Sequence, residues 1–534
     1  MKIAILGAGF TGLTAALRLS QKGHEVTVFE KEDVPGGLAS GFKGEKWNWY
    51  LEKAYHHFFT NDKFALDLAR EVNQEILIQR PLTAIYYNPE SEYCSSEVPS
   101  EVEGRSRELL DSPPTATQLR AGHSKNSSQF SVQSSKFVYP FDSPFHLLLF
   151  PYLSISQKIR TGLVLAFLKT TNNYNSLEKH TAYEWLEKYM GKTAFNILFK
   201  PLFIGKFGNY AKTISMAWFW ARIKKRTPSL AYPVGGYQSF IDKLIQKIGS
   251  AGGKVFLNDP VNEIQKEDNS KFKIACPEQN RGENSKFDAV ISTLPTPAFL
   301  RLTQSINIPS NYIKRLTNIS HFHALNLILE LKEPFFLNNK VGDASRGAPT
   351  RAQDFTPSTW WDWRATGPTS HNERGHRTRR APDRIHTPII QPYWLNINDP
   401  SFPFLALVEH TNFMDKKHYN NHHLLYIGNY LPQNHEYFTK SKEELLQIFD
   451  PYLKIFNSNY SQFLVQSSLF ASAYAQPITI TNYAPPPLET GVKNLYAGNL
   501  DNVYPWDRGT NYAIELGEKL ANLINSHPER SREI

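Results

Sequence analysis

The chain is 534 residues long and 41% of its residues are hydrophobic, which is enough to bury the cores of roughly two to four domains. Its formal net charge is +9, but a basic total does not by itself indicate a nucleic-acid partner. The sequence carries no zinc-finger pattern, RNA-binding signature or long basic helix, so no nucleic-acid partner is expected.

Cysteine usage and hydropathy narrow the class of protein further. Cys94 and Cys276 are the only cysteines, which excludes a disulfide framework, and no metal site is expected. The first apolar run is short and is broken by Gly7 and Gly9, unlike a secretory signal. No stretch approaches the roughly 20 apolar residues of a transmembrane helix. These features predict a cytoplasmic protein that is at most peripheral on the inner face of a membrane.

A glycine-rich turn follows the first predicted strand, Lys2 to Leu6. Gly7 permits a tight turn, Gly9 lets the backbone approach a pyrophosphate, and Gly12 allows the next helix to pack closely on the strand. That helix is predicted from Leu13 to Gln21, and its N-terminus would present N–H groups to phosphate. The candidate nucleotide-binding residues of this loop are Gly7, Ala8, Gly9, Phe10, Thr11 and Gly12.

A second predicted strand, Glu25 to Phe29, ends at Glu30. An acidic residue about 20 residues after the glycines accepts hydrogen bonds from the ribose hydroxyls of a bound dinucleotide. Glu30 and the adjacent Lys31 are therefore candidate cofactor contacts. The alternative is a strand–helix–strand unit that binds no nucleotide.

A paired glycine stands shortly after this acidic residue, in the run Gly36-Gly37-Leu38-Ala39. In these residues the chain resembles the FAD-dependent amine oxidase superfamily, which contains monoamine oxidases, protoporphyrinogen oxidases and phytoene-type desaturases, and to which UDP-galactopyranose mutases are related. The resemblance implies that Gly36, Gly37, Leu38 and Ala39 lie along the ribityl-pyrophosphate part of FAD. Leu38 stands where many amine oxidases have arginine, so no side-chain contact with phosphate is expected there.

Residues 136–224 resemble the helical cap of that superfamily, which closes over the flavin and defines the substrate cavity. A helix predicted from Ile155 to Lys169 carries Ile159, Leu163 and Phe167 at helical spacing. Packing of this apolar stripe in the core of the cap is favoured. The alternative is that the stripe dips into a membrane interface, as a peripheral contact.

His57 and Lys206 are the candidates for catalysis near the flavin. His57 is the second of two adjacent histidines in an aromatic run, and Lys206 lies in the predicted cap. The alternatives are a histidine that packs among aromatic rings and an exposed lysine. A further histidine group is predicted at the surface or at a sheet edge, because no cysteine or carboxylate cluster accompanies it; its members are His410, His422 and His423.

Two later segments extend the resemblance to the FAD-binding domain. A strand from Lys254 to Leu257, continued by Pro260 to Ile264, contains Val261, which the resemblance places against the adenine. The closing segment runs from a strand at 493–497 into a helix whose N-terminus can stabilise negative charge on the reduced flavin. Its candidate FAD contacts are Gly498, Arg508, Gly509, Thr510, Asn511 and Ala513.

The predicted fold class is α/β, or α+β over the whole chain. It consists of a Rossmann-like FAD-binding domain, discontinuous in sequence, and a substrate domain of helices and an antiparallel sheet. The FAD-binding domain is assigned to residues 1–88, 225–300 and 490–525. The cap is assigned to 136–224 and the substrate-domain sheet to 301–489. Loss of apolar periodicity predicts disordered insertions or a tail at 89–135, 340–388 and 526–534.

The sequence thus predicts an FAD-dependent oxidoreductase in which a C–H or C–N bond of a small-molecule substrate gives a hydride to flavin N5. One alternative is a non-redox flavoenzyme of the UDP-galactopyranose mutase type, for which Arg222 and Arg226 would face a diphosphate. Another is a flavin-binding protein without turnover. The substrate, the electron acceptor and the oligomeric state do not follow from the sequence.

Overall fold

A computed structural model describes residues 1–91, 137–267, 271–276, 286–336, 390–507 and 509–526. Arg508 lies outside these residues, as do most of the predicted insertions at 89–135 and 340–388 and nearly all of the tail at 526–534. The described residues form 20 strands and 14 helices.

The strands fall into five sheets. In chain order they are β1 (Lys2–Leu6), β2 (Glu25–Phe29), β3 (Gly41–Phe42), β4 (Leu51–Glu52), β5 (Phe58–Phe59), β6 (Ile76–Gln79), β7 (Thr83–Tyr86), β8 (Val138–Pro140), β9 (Leu230–Pro233), β10 (Lys254–Phe256), β11 (Glu263–Lys266), β12 (Phe272–Ala275), β13 (Lys286–Phe287), β14 (Ala289–Ser292), β15 (His321–Leu331), β16 (Trp394–Ile397), β17 (Ala406–Glu409), β18 (His423–Leu431), β19 (Leu464–Pro477) and β20 (Leu495–Ala497).

The helices cover the sheets and build the cap. In chain order they are α1 (Phe10–Gln21), α2 (Lys63–Glu71), α3 (Pro144–Leu149), α4 (Ile155–Thr170), α5 (Asn175–Glu178), α6 (Ala182–Met190), α7 (Lys192–Leu198), α8 (Lys200–Phe207), α9 (Met216–Lys225), α10 (Tyr237–Ser250), α11 (Thr296–Leu302), α12 (Ser310–Thr317), α13 (Lys442–Phe456) and α14 (Thr510–Asn525).

A five-stranded parallel sheet in the order β10-β2-β1-β14-β20 forms the first layer. Its strands come from the start, the middle and the end of the chain, which confirms the predicted discontinuous Rossmann-like fold. Ile3 and Ile5 pack on one face in the core shared with α1, α10 and α14. Ala4 and Leu6 pack on the other face. Because both faces are covered, β1 is a continuous apolar run.

A seven-stranded sheet in the order β19-β15-β18-β17-β16-β7-β8 forms the second layer. Its neighbours pair antiparallel except β16 and β7, which run parallel. Helices α3 to α9 form the cap, whose core contains Phe195, Phe203 and Trp218. Phe322 of β15 and Tyr430 of β18 belong to the same core, so the cap rests on one end of this sheet.

The strand predicted from Lys254 to Leu257 does not continue through Pro260 to Ile264. Lys254–Phe256 pairs in parallel with β2, whereas β11 belongs to a separate antiparallel sheet with β12 and β13. Asn258 turns the chain between them with a φ of +53°. This left-handed conformation, which asparagine tolerates, ends the first strand.

Two predictions about burial are wrong. The stripe of α4 was expected in the core of the cap, but Ile159, Leu163 and Phe167 are exposed, and Thr161 and Leu168 of the same helix are buried instead. His410 and His423 were expected at the surface or at a sheet edge, but both are buried. His410 Nε2 lies 2.9 Å from the Tyr419 hydroxyl, and His423 Nδ1 lies 3.5 Å from the Glu409 carboxylate. Periodicity identifies a face of a helix without saying what covers that face.

Candidate FAD-binding site

The turn between β1 and α1 is shaped by its glycines. Gly7 adopts a φ of +101°, and its N–H donates to the Phe29 carbonyl at 2.8 Å. A Cβ at Gly12 would lie 2.0 Å from the Gly7 carbonyl oxygen, so only glycine fits there. A Cβ at Gly9 would have the Gly36 carbonyl oxygen as its nearest neighbour in the described chain, at 4.0 Å. Packing within the protein therefore does not require glycine at position 9. A side chain there would instead occupy the open space in front of the turn.

Helix α1 begins directly after this turn and is suited to bind an anion. Its N-cap residue Gly9 has extended backbone, and no side chain of the described residues caps it. Its first turn contains no acidic residue, and the first two residues of that turn, Phe10 and Thr11, are buried. The N–H groups of the first turn and the positive end of the helix dipole are therefore available to a phosphate.

Glu30 lies at the end of β2, beside the same turn. Its buried carboxylate accepts hydrogen bonds from the Ala8 N–H at 2.8 Å and from the Glu32 N–H at 3.1 Å. Each carboxylate oxygen has a second lone pair for a ribose hydroxyl. The Lys31 side chain instead extends to the surface and pairs with Glu32 at 2.8 Å, so the structure does not bring its ammonium into the site.

The second glycine pair completes one wall of this groove. The Gly36 N–H donates to the Ala8 carbonyl at 2.8 Å, and Gly36 pairs with Gly9 as an isolated bridge. Gly36 and Gly37 have φ values of +120° and +57°, conformations that favour glycine. The next two residues diverge, because Ala39 is buried in the core of the FAD-binding domain whereas Leu38 packs against the core of the cap.

Val261 is brought to this end of the groove by the turn after β10. The Asp259 N–H donates to the Glu30 carbonyl at 2.8 Å, and the Asn258 N–H donates to the Glu32 carbonyl at 3.1 Å. Val261 follows within three residues and packs half-buried against the core that contains Ile264. This places it beside the residues expected to hold the adenosine.

Helix α14 supplies a second N-terminus next to α1. A Cβ at Gly517 would lie 2.5 Å from the Thr11 carbonyl oxygen, and His24 Nε2 lies 3.1 Å from Asn525 Oδ1. The two helices therefore run in the same direction. Thr510 stands seven residues before Gly517, so α14 begins roughly 9 Å beyond the start of α1.

The N-terminus of α14, like that of α1, has no described side chain that would compete with a bound anion for its N–H groups. Its N-cap residue Gly509 has extended backbone, no side-chain cap comes from the described residues, and no acidic residue lies in the first turn. Thr510 is buried, and the Asn511 side chain accepts a hydrogen bond from the Ala65 N–H at 3.2 Å, so Asn511 anchors α2 through its side chain.

Ala513 packs half-buried on the core of the FAD-binding domain. Gly498 lies at the end of β20, where its N–H donates to Ser292 at 3.0 Å.

Both catalytic candidates lie in the neighbourhood of Arg222. His57 Nδ1 is 3.3 Å from the Tyr393 hydroxyl, and the Lys206 ammonium is 5.1 Å from the centroid of the Trp218 ring. Arg222 lies over the same Trp218 ring at 5.1 Å. Dense packing around its ring, with the positive charges of Arg226, His56 and Arg222, lowers the pKa of His57 to about 3. His57 is therefore uncharged at neutral pH.

Sequence reasoning missed an aromatic pair at the start of α14. The Trp506 and Tyr512 rings are parallel within 3°, with centroids 5.6 Å apart. The Lys225 ammonium lies 4.9 Å from Trp506 and 5.8 Å from Tyr512. The signal that could have found this pair is the aromatic residue on each side of the closing Gly509 motif.

The match with known proteins identifies the family. Residues 10–374 match the sequence profile of flavin containing amine oxidoreductases. The chain belongs to that family. Its members are FAD-dependent oxidoreductases, and FAD is the cofactor of this protein.

A relative and two solved structures agree with this assignment. The chain is 25% identical over 344 residues to 15-cis-phytoene desaturase of Synechococcus elongatus, which covers 62% of this chain and 65% of the relative. The chain thus spans less than two thirds of that family member's length.

An oxidoreductase from Methanosarcina mazei superimposes with a TM-score of 0.61 at 17% identity, over 97% of this chain and 100% of the other. A reduced UDP-galactopyranose mutase gives 0.61 at 14% identity, over 99% and 97%. The superpositions show that the fold is shared, and at such low identities they show the fold alone.

The groove fits the cofactor of the family. Gly9 and Gly37 lie side by side on one wall of it, since a Cβ built on Gly37 would be only 3.5 Å from the Gly9 Cα. Larger residues at these positions would fill the space that a pyrophosphate needs. The residues suited to hold FAD are the α1 N-terminus for the pyrophosphate, Glu30 for the ribose, and the α14 N-terminus for the flavin end.

Proposed function

We propose that this protein is an oxidoreductase that removes a hydride from a C–H bond of a neutral or anionic apolar substrate. The observation that carries the proposal is the pair of parallel, glycine-capped helices α1 and α14, together with the cationic aromatic groups at the start of α14. When bound, FAD supplies the two-electron chemistry, because its N5 accepts a hydride. The protein residues bind and orient both partners.

The charges around the aromatic rings support a substrate that is not a cation. The Lys225 ammonium lies 4.9 Å from the Trp506 ring at the start of α14, whereas the nearby Arg222 is already paired with Asp507. The α14 N-terminus adds a positive dipole end. An ammonium substrate would be repelled here, whereas an uncharged or anionic molecule would not. The apolar rings of the cap would exclude water from such a substrate.

The same argument favours dehydrogenation across a C–C bond over dehydrogenation across a C–N bond. The desaturation of two adjacent carbons breaks two C–H bonds, with one hydrogen leaving as hydride and the other as a proton. The phytoene desaturase among the relatives carries out a desaturation by name. His57, which is uncharged at neutral pH, can accept or donate a hydrogen bond near this region but adds no charge.

The mutase alternative is less well supported by the arginines. Arg222 forms a short ion pair with Asp507, and Trp218 Nε1 donates to the same carboxylate at 3.1 Å. Arg226 donates to the Thr83 hydroxyl at 3.1 Å. A diphosphate would have to displace Asp507 from Arg222 before both arginines could bind it.

Anaerobic reduction of the bound flavin tests the proposal. The purified holoenzyme is mixed with primary and secondary amines, or with apolar polyenes in detergent, and its visible spectrum is recorded. We expect the polyene class to bleach the flavin and the amines to leave it oxidised. Bleaching by amines alone would overturn the proposal. Bound flavin that no donor reduces, but that turns over UDP-sugars after chemical reduction, would favour the mutase. Bound flavin with neither activity would favour a binding protein.

A further inference from the structure

An exposed apolar face lies on the outside of the cap, on helices α3 and α4. Its seven large side chains have exposed fractions between 49% and 75%. They are Phe145, Leu148, Leu149, Ile155, Ile159, Leu163 and Phe167. We call this set the cap face. Single exposed apolar residues are ordinary, but a contiguous set of this kind marks a surface that another body covers.

The two helices hold the cap face together as one surface. Ile155, Ile159, Leu163 and Phe167 recur every fourth residue, so they form a single stripe about 18 Å long on α4. Lys158 of α4 donates to the Leu148 carbonyl at 2.7 Å, which ties α3 to α4. Behind this stripe Thr161 and Leu168 are buried, so α4 is amphipathic with its apolar stripe turned outward.

The charged side chains of α4, and the lysine of α9 that contacts it, all have one sign. The sequence from 143 to 177 contains no aspartate or glutamate, and its cations are Lys158, Arg160 and Lys169. Lys169 and Lys224 reach each other's backbone carbonyls across α4 and α9, so Lys224 joins the same edge. Acidic residues return on the neighbouring helix α6, which carries Glu184 and Glu187 as well as Lys188. The edge next to the stripe is thus basic.

Aromatic side chains continue the cap face at one end. The Trp185 ring stacks on Phe167 with centroids 6.2 Å apart, and Tyr189 packs on Trp185 at 4.5 Å. Tyr189 is 45% exposed. Tryptophan and tyrosine are favoured where an apolar interior meets water, because their rings are apolar and their N–H or O–H groups stay hydrated.

We propose that the cap face seats the protein on an anionic lipid bilayer. The bulky side chains of α3 and α4 enter the boundary between headgroups and acyl chains, and Lys158, Arg160, Lys169 and Lys224 contact lipid phosphates. An amphipathic helix that lies in the plane of a membrane has this composition: bulky apolar groups on one face and lysine or arginine beside it. Among the described residues no helix is long and apolar enough to cross a bilayer.

A bilayer fits this face better than a second protein chain does. The stripe consists of aliphatic and aromatic groups without the hydrogen-bonding side chains that give protein interfaces their specificity. Its cationic edge complements anionic lipid, whereas a second copy of the same face would bring the like charges of both edges together. The inference does not depend on the proposed activity, because it concerns the outer side of the cap.

Flotation of the full-length protein with lipid vesicles tests the inference. Vesicles of phosphatidylcholine with phosphatidylglycerol are compared with vesicles of phosphatidylcholine alone, at low and high salt. The test variant is Ile159→Ser with Leu163→Ser, which changes two exposed positions. The control is Ile78→Ser, since Ile78 is 62% exposed on β6, outside the cap face. Thermal unfolding of each variant shows that it is folded.

We expect the wild-type protein and the Ile78→Ser variant to float with anionic vesicles, and the double variant to bind at least about tenfold less. Binding should weaken at high salt and on neutral vesicles. The inference is overturned if the wild type does not float, or if the double variant floats equally well. A concentration-dependent dimer that the double variant abolishes, without any vesicle binding, would assign the face to a second copy of the chain instead.

Discussion

Gly517 of the last helix and Thr11 of the first helix approach so closely that a Cβ on Gly517 would lie 2.5 Å from the Thr11 carbonyl oxygen. The contact aligns α1 and α14 in parallel. Arg18 of α1 strengthens this contact between the helices. Its guanidinium forms ion pairs with Glu518 of α14 and with Glu71 of α2, both at 2.7 Å. Two helix N-termini that come from opposite ends of the chain therefore lie at the same edge of the parallel sheet.

Replacement of Gly517 by alanine should separate these helices. In an exposed helix the change would stabilise by up to about 1 kcal/mol. Here the added methyl clashes with backbone, and we expect a net loss of about 1–3 kcal/mol in the free energy of unfolding. Gly249→Ala is the matched control, because nothing in the described structure lies within 4 Å of a Cβ there. Urea denaturation of both variants is the measurement, and equal stabilisation by both would contradict the close contact.

Replacement of Gly9 by alanine should weaken FAD binding without unfolding the protein. Its φ of −76° suits alanine, and the nearest described atom to the new Cβ would be 4.0 Å away. The methyl would meet the pyrophosphate instead. We expect the affinity for FAD to fall at least about tenfold, or about 1.4 kcal/mol. Fluorescence titration of the apoprotein with FAD measures this, with Gly249→Ala as the control. Unchanged affinity would place the pyrophosphate elsewhere.

Glu52 should make the protein less stable as the pH rises from about 4.5 to about 7. Burial raises its pKa to about 7, although the Tyr237 N–H and the Tyr232 hydroxyl donate to its carboxylate at 2.8 Å. The folded protein thus holds this proton more tightly than the unfolded chain, whose pKa is about 4.5. The stabilisation is complete below about pH 4.5 and is lost as the pH approaches 7. Its size is about 3 kcal/mol.

The Glu52→Gln variant should remove this loss. Its stability relative to wild type should rise between about pH 5 and pH 8. Urea unfolding across this range is the measurement, and Glu333→Gln, at an exposed position, is the control. A wild-type profile without any decline, or a Glu52→Gln profile that parallels wild type, would contradict the buried protonated carboxyl.

His410 should make the protein less stable as the pH falls into the acid range. Burial lowers its pKa to about 3, from 6.5 in the unfolded chain. The folded protein therefore disfavours the charged ring, and stability falls as the pH drops from about 6.5 towards 3. We expect His410→Gln to reduce this fall by up to about 1.4 kcal/mol per pH unit. Unfolding at stepped acid pH measures it, with the exposed His180→Gln as control. An unchanged acid slope would count against a buried neutral His410.

The sequence was sufficient wherever a local backbone requirement carried the signal. Gly7 was expected at a tight turn, and it adopts a positive φ, as Gly36 and Gly37 also do. The strand predicted from Glu25 to Phe29 forms over those residues. Glu30 was placed at a strand end, where its carboxylate accepts the Ala8 N–H. Turn conformation and alternation depend on neighbouring residues, so a single chain segment contains the information.

Other features were decided by residues far apart in the sequence. The stripe on α4 was visible as a period, but whether Leu163 faced the core or the outside depended on the helices that pack behind it. Asn511 was expected at the cofactor, yet its side chain is taken by Ala65. The pKa values of Glu52 and His410 follow from burial among residues of several elements.

By itself the sequence determined the glycine turns, the acidic strand end and the α/β class, since short-range sterics and periodicity encode them. The tertiary structure alone decided that α1 and α14 lie parallel, with Gly517 against Thr11. It also decided that the apolar stripe of the cap faces outward. The physical reason is that burial and close packing depend on which surfaces meet, and those surfaces come from segments that are tens to hundreds of residues apart along the chain.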